Sequence, residues 1–426
     1  MRTNRRALGA GLLPLLLAGS ALAAAAPPGY RFKGKISRQV LENYLARSIT
    51  MAELYRAPGN LDDDLRMLKN IGAKFIGRAI YLWGGEARIA EGEFLAQGRR
   101  LIERIHRDDP GVVVQAAAFE IVTEQVAKVP VPAWVFREFR LRPETRNFDY
   151  AKMLFPDKKM VDHWRRGSSV PDICQAETKM WFLFLAGTYL DIGVEAIHFG
   201  QLDLMGRNDR QYRHWADLMQ RVRRLAARKA RRKFLLCDAH VPKAGPVVDG
   251  RLLLDFHSFP LRPKEVAGAP QQAVLEVGYT DALYLRSNGG ITPSGWKCEH
   301  LPYLVEFDNF GGTRAPGQSS QALRPSIFTW GFDEITWFAW QPESYRNQWL
   351  RYAWNWLKEH DPNGFLQMPG SRMLTNGPPG EDGARLRWYF ANTRSPACPQ
   401  GFNQEETIKA IWAEDARTRQ RAAPRR

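Results

Sequence analysis

Four cysteines in 426 residues are too few for a disulfide scaffold, and none stand in C-x-x-C spacing, which excludes a cysteine-based zinc site. Cys237 reads as a buried thiol inside a strand; Cys298 and Cys398 lie in loop-like contexts and are the pair that could bridge. Beyond the first residues the chain has no apolar run long enough to span a bilayer. It has no internal repeat and no low-complexity tract. No G-x-G-x-x-G follows the first strand, which argues against a dinucleotide-binding sheet. A nucleic-acid recognition motif is also missing.

The N-terminus has the form of an export signal. Arg2, Arg5 and Arg6 precede the apolar run Ala7 to Ala21, and Ala21-Leu22-Ala23 forms a cleavage site, giving a signal peptide over 1–23. Asn4-Arg5-Arg6-Ala7-Leu8 loosely resembles a twin-arginine signal. The expected location is periplasmic or secreted.

The formal charge is +16, and three of those charges leave with the signal. Much of the rest is local: a basic cluster runs from Arg221 to Lys233, and five arginines crowd the last ten residues. Such clusters read either as solvated surface or as attraction to an anionic polymer. The 14 Trp and 13 Tyr exceed what packing needs and suit a sugar-stacking cleft as well as a core.

Eight apolar runs, most of them separated by helical or long connections, read as strands: 75–83, 112–122, 196–203, 234–242, 252–260 (with little room for a helix before it), 282–290, 304–312 and 334–342. Near-continuous apolar runs fit a parallel sheet covered on both faces. The expected fold is α/β, a (β/α)8 TIM-like barrel over 61–360, with a long insertion after the second strand. An N-terminal lead-in covers 24–60, and a C-terminal extension with a basic tail covers 361–426.

Polar residues gather at the carboxyl ends of these runs, where barrel active sites form. Glu120, Asp238, Glu306 and Asp308 are the candidate catalytic carboxyls, since glycoside hydrolysis needs two flanking the scissile bond. His198, Gln201, His240, Asp255, His257 and Asn288 are the candidate substrate binders, and Trp83, Trp337 and Trp340 the stacking platforms. With Glu306 on the seventh run and Trp337 or Trp340 on the eighth, the chain resembles the (β/α)8 glycoside hydrolases with an acid/base on strand four and a nucleophile on strand seven. That resemblance implies Glu306 as nucleophile. The chain departs from the pattern on its fourth run, where Asp238-Ala239-His240 replaces Asn-Glu.

The expected substrate is therefore a carbohydrate, with an anionic one permitted by the charge. No cofactor is expected. Two other readings stand beside it. Asp238-Ala239-His240 and Asp255-Phe256-His257 are twin D-x-H units, and each would present both side chains on one strand face to a divalent metal. A non-catalytic glycan-binding barrel would present the same aromatic cleft.

Overall fold

The computed structural model describes residues 28–279, 282–309 and 333–422. The N-terminal signal and the Gly311-Gly312 turn lie outside these residues. Ten strands make one sheet: β1 (Ser48–Met51), β2 (Phe75–Ile80), β3 (Val113–Ala117), β4 (Ala196–Gln201), β5 (Leu236–His240), β6 (His257–Pro260), β7 (Tyr303–Glu306), β8 (Gly364–Leu366), β9 (Met368–Met373) and β10 (Trp388–Phe390). Their order is β8-β7-β6-β5-β4-β3-β2-β1-β9-β10. Every pairing from β8 to β9 is parallel, and β10 adds antiparallel to β9.

The sheet is curled. β8 pairs with β7 at one end of the order and β9 pairs with β1 near the other, yet only Gln367 separates β8 from β9 in the chain. Gln367 bonds to both sides: its N–H donates to Val305 O (2.8 Å) and its side-chain amide to Ser48 Oγ (2.8 Å).

Among the described residues eight helices have seven residues or more: α1 (Arg38–Leu45), α2 (Leu61–Ile71), α3 (Glu93–Asp108), α4 (Ala176–Asp191), α5 (Arg213–Lys229), α6 (Glu334–Trp340), α7 (Glu343–His360) and α8 (Glu405–Ala422). Local signals explain α2 well. Asn60 caps it by accepting from the N–H groups of Asp62 and Asp63, three aspartates sit at its positive end, and Gly72 ends it at φ 75°. Leu41, Tyr44 and Leu45 of α1 pack against the strand starts Phe75, Val113, Ala196, Leu236, Leu304 and Phe365. That apolar plug closes the amino end of the sheet, so the polar carboxyl ends alone are left to line a site.

Two predicted strands are corrected. Residues 282–290 are turns, with only Gly290–Ile291 entering a separate four-stranded sheet. Residues 334–340 are α6, because Asp333 accepts from Thr336 N as an N-cap and so starts a helix through a run whose composition suits either state. The fifth run also divides. Leu252 joins the small sheet, and only His257–Pro260 enters the large one. Four strands of the sheet come from outside 61–360: β1, β8, β9 and β10. Within the lead-in, α1 ends at Leu45 and Ser48-Ile49-Thr50-Met51 becomes β1. Residues 364–373 carry Pro369 and Gly370, which are unfavourable inside strands. They pair all the same, because the register shifts between Thr50 and Met51, and a bulge is where a strand tolerates proline.

Most of the basic cluster is paired within the fold. Arg221 pairs with Asp217, Arg223 with Asp255, Arg228 with Glu138, Lys229 with Asp191, and Arg231 and Arg232 with Glu195. All four cysteines are free, so Cys298 and Cys398 do not pair. Among the described residues no helix is long and apolar enough to cross a membrane.

Candidate functional site

At the carboxyl ends of the strands lies a cleft of about 360 Å³. Its floor is an ionic network that begins with Arg78. Gly77 precedes it because a Cβ there would stand 2.4 Å from Gln367 Nε2. Arg78 itself adopts φ 54°, and the β2–β3 register shifts between Ile76 and Ile80. Gln115 Oε1 accepts the Arg78 N–H at 3.0 Å and holds this bulge. A left-handed arginine in a strand is a strained position, and bulges of this kind re-aim side chains at sheet rims. Here the guanidinium turns inward and reaches His198 Nε2 (3.3 Å), His240 Nε2 (3.0 Å) and Glu306 Oε1.

Glu306 is the centre of the network and has no solvent exposure. His240 contacts the same oxygen as Arg78, and Arg372 Nη1 stands 3.7 Å from the other. Burial alone would push Glu306 up. Arg78 and Arg372, with His240, overrule it and hold the carboxyl well below the usual range. Glu306 does not line the cleft. It lies one layer beneath, under Arg78 and Arg372, which are themselves 5% and 3% exposed.

Asp238 is also interior. It accepts from Gln115 Nε2, His198 Nδ1 and Ser258 Oγ, each at 2.7 Å. Burial pushes its carboxyl up to about 7. His198 is driven well below its ordinary value by burial and by Arg78 and His240, so its ring is neutral. With Nδ1–H donating to Asp238, its Nε2 is left to accept from Arg78. Asp238 therefore orients His198, which lines the cleft, and does not itself reach the space.

Two of the four predicted carboxyls do line it. Asp308 Oδ1 accepts from Arg372 Nη2 at 3.0 Å and from Asn309 N at 2.8 Å. Among the described residues Oδ2 accepts no hydrogen bond. Glu120 is held by Gln201, which donates its backbone N–H to Oε2 (2.7 Å) and its side-chain amide to Oε1 (2.9 Å). Gly200 before it has to be glycine: at φ 48°, a Cβ would lie 2.0 Å from Glu120 Oε2.

The wall is aromatic. Trp83 is 42% exposed and packs edge-on against Phe119 (5.3 Å) and Trp164 (5.1 Å). Tyr81 packs on Phe119 at 4.9 Å. Trp164 comes from the long connection between β3 and α4, and its Nε1–H donates to Glu120 O at 3.0 Å. That bond ties the insertion to the cleft.

The remaining predicted residues lie elsewhere. Asp255 and His257 face outward, to Arg223 and to Ser287, because β6 turns the neighbouring Ser258 inward. The twin D-x-H units therefore do not converge. Among the described residues no group of three or more His, Cys, Asp or Glu is placed to hold a metal ion. Asn288 donates to Gly245 O beside the small sheet. Trp337 and Trp340 lie on α6, donating to Gln271 O and Asn376 O, away from the cleft. The strand count moves as well. Asp238 and His240 stand on the fifth parallel strand, and the fourth carries His198 and Gln201. Glu306 remains on the seventh.

Sequence reasoning missed Arg78, Arg372 and Glu53, all of which line the cleft. Arg78 carried a legible signal, a lone charge inside an apolar strand. Arg372 lies within β9 and Glu53 just after β1, segments whose strand character was not visible.

Neither a comparison with family models nor one with curated proteins finds a match. Solved structures do superpose on parts of the chain. The debranching enzyme of Nostoc punctiforme in its native form matches at 8% identity over 54% of this chain and 53% of its own, with a TM-score of 0.31. A β-L-arabinopyranosidase variant from Geobacillus stearothermophilus, in complex with arabinose, matches at 13% identity over 51% and 54%, with a TM-score of 0.30. A trehalulose synthase mutant in complex with Tris matches at 9% identity over 87% and 83%, with a TM-score of 0.33. The chain spans about half the length of the first two. At these scores the likeness carries no argument, and the site is read from this chain alone.

Proposed function

We propose that the chain is an exported, carbohydrate-active hydrolase of (β/α)8 type, with β8 and β9 acting as one strand that completes the barrel between β7 and β1. The reading is carried by one observation: Asp308 and Glu120 share an aromatic-walled cleft and approach it from the segments that leave different strands, β7 and β3. Glycosidic cleavage needs one carboxyl to protonate the leaving oxygen and one to attack or to activate water. Asp308, with its unengaged oxygen and its Arg372 partner, is assigned the nucleophile or base. Glu120 is assigned the acid. Trp83 supplies a face for a sugar ring, while His198, His240 and Gln201 bind hydroxyls. Glu306 is assigned to hold Arg78 and Arg372 in place from below.

The test is release of reducing ends from cell-wall and exopolysaccharide glycans, with Asp308→Asn and Glu120→Gln as variants. Each substitution is expected to lower kcat by at least about a hundredfold while leaving the fold intact. Turnover that survives both changes refutes the assignment. Burial of Glu306 beneath the floor favours one second reading, a barrel that binds glycans without cleaving them. Saccharide binding without turnover by the unaltered protein would select it.

A further inference from the structure

A second hollow, of about 540 Å³, adjoins the cleft, and Gln201 lines both. It is built from the turns that leave β4 and β5. Tyr212 is held there at φ 56°, and its hydroxyl donates to Asp203 Oδ1 at 3.0 Å. The two acids of this hollow are both engaged. Asp209 is buried and caps α5 by accepting from His214 N (3.0 Å) and Trp215 N (2.9 Å). Asp203 takes the tyrosine hydroxyl and stands 3.7 Å from Lys243. Arg207 and Arg210 are exposed, and neither has an ion-pair partner among the described residues; Arg207 Nη1 meets only Met160 Sδ, at 3.2 Å.

The hollow therefore presents two uncommitted guanidiniums beside a tyrosine ring, contiguous with a cleft whose own cations are committed to Glu306 and Asp308. We infer that the substrate is an acidic oligosaccharide longer than the cleft, whose chain crosses Gln201 and places its uronate carboxylates on Arg207 and Arg210. Guanidinium forks match carboxylates, and the Tyr212 ring gives the intervening sugar a surface. This inference rests on the saccharide reading of the cleft.

Calorimetric titration of the full chain with di- and hexa-galacturonides, and with cello-oligosaccharides of the same lengths, tests it. The hexa-uronide is expected to bind about tenfold tighter than the di-uronide, as two partly exposed charge contacts would give. The Arg207→Ala/Arg210→Ala protein should lose that gain and bind the di-uronide unchanged. Both side chains are exposed, so the variant is expected to fold. A length gain that survives the double substitution, or that neutral chains share equally, overturns the inference. A Trp83→Ala protein separates the two levels of the argument. If Trp83→Ala weakens di-uronide binding but length gives no gain, only the extended site fails. If it leaves di-uronide binding untouched, or if no saccharide binds at all, the reading of the cleft fails with it.

Discussion

Replacing Glu306 by glutamine keeps its shape and removes its charge, and the structure fixes what should follow. The carboxylate is fully buried, and Arg78 has no other ion-pair partner among the described residues. Arg372 retains Asp308. Glu306→Gln therefore leaves one buried guanidinium without its ion-pair partner and weakens the setting of a second. Removing one partner of a buried pair costs about 3–5 kcal/mol, because the remaining charge loses its compensation in a low-dielectric site. Against a total stability of roughly 5–15 kcal/mol, that is at least about a fifth. The assay is urea unfolding of the unaltered protein, Glu306→Gln, Arg78→Met and the double variant. The single changes should each shift the midpoint down, and the double should cost at least about 2 kcal/mol less than their sum. A loss under about 1 kcal/mol for Glu306→Gln, with additivity in the cycle, would refute the clamp. It would return Glu306 to the role that the resemblance to strand-seven nucleophiles implies, in which the charge matters to turnover and little to folding.

Two further outcomes follow from the same network. Asp238 has its folded-state carboxyl pushed up to about 7, so between about pH 4 and pH 7 the folded chain holds a proton that the unfolded chain releases. Its contribution is fully present below the unfolded value and is lost as pH rises through about 7. The stability of the unaltered protein minus that of Asp238→Asn should therefore fall, by up to roughly 3 kcal/mol, between about pH 5 and about pH 8; denaturant titrations giving a flat difference would show that Asp238 is not so perturbed. Gly77→Ala forces a methyl toward Gln367, the residue that bonds both β7 and β1. It should cost about 1–3 kcal/mol and lower affinity for cleft ligands, as Arg78 shifts with the bulge; a variant that unfolds and binds like the parent would show that this contact yields freely.

Much of the framework was legible in the chain. Runs such as Phe75–Ile80 and Ala196–Gln201 are apolar on both faces and could only be interior parallel strands. The charged and polar residues after them marked the carboxyl ends as the working face, and His198, Gln201, His240, Asp308, Glu120 and Trp83 all line the cleft. Short aromatic runs were not decisive. Glu334–Trp340 has strand-like composition, but Asp333 supplies a cap and the helix wins. Conversely, β9 carries proline and glycine and still pairs, because a bulge absorbs them.

By itself, then, the sequence determined six of the nine parallel strands, the fifth run only in part, and the end of the sheet where polar groups collect. Only the tertiary structure decided depth and direction. Alternation along β6 sends His257 outward and Ser258 inward. The Arg78 bulge drives a guanidinium into the floor, and the charge it brings seals Glu306 beneath while Asp308, two residues on, stays in the cleft. These outcomes depend on registers between strands far apart in the chain, which no local pattern encodes.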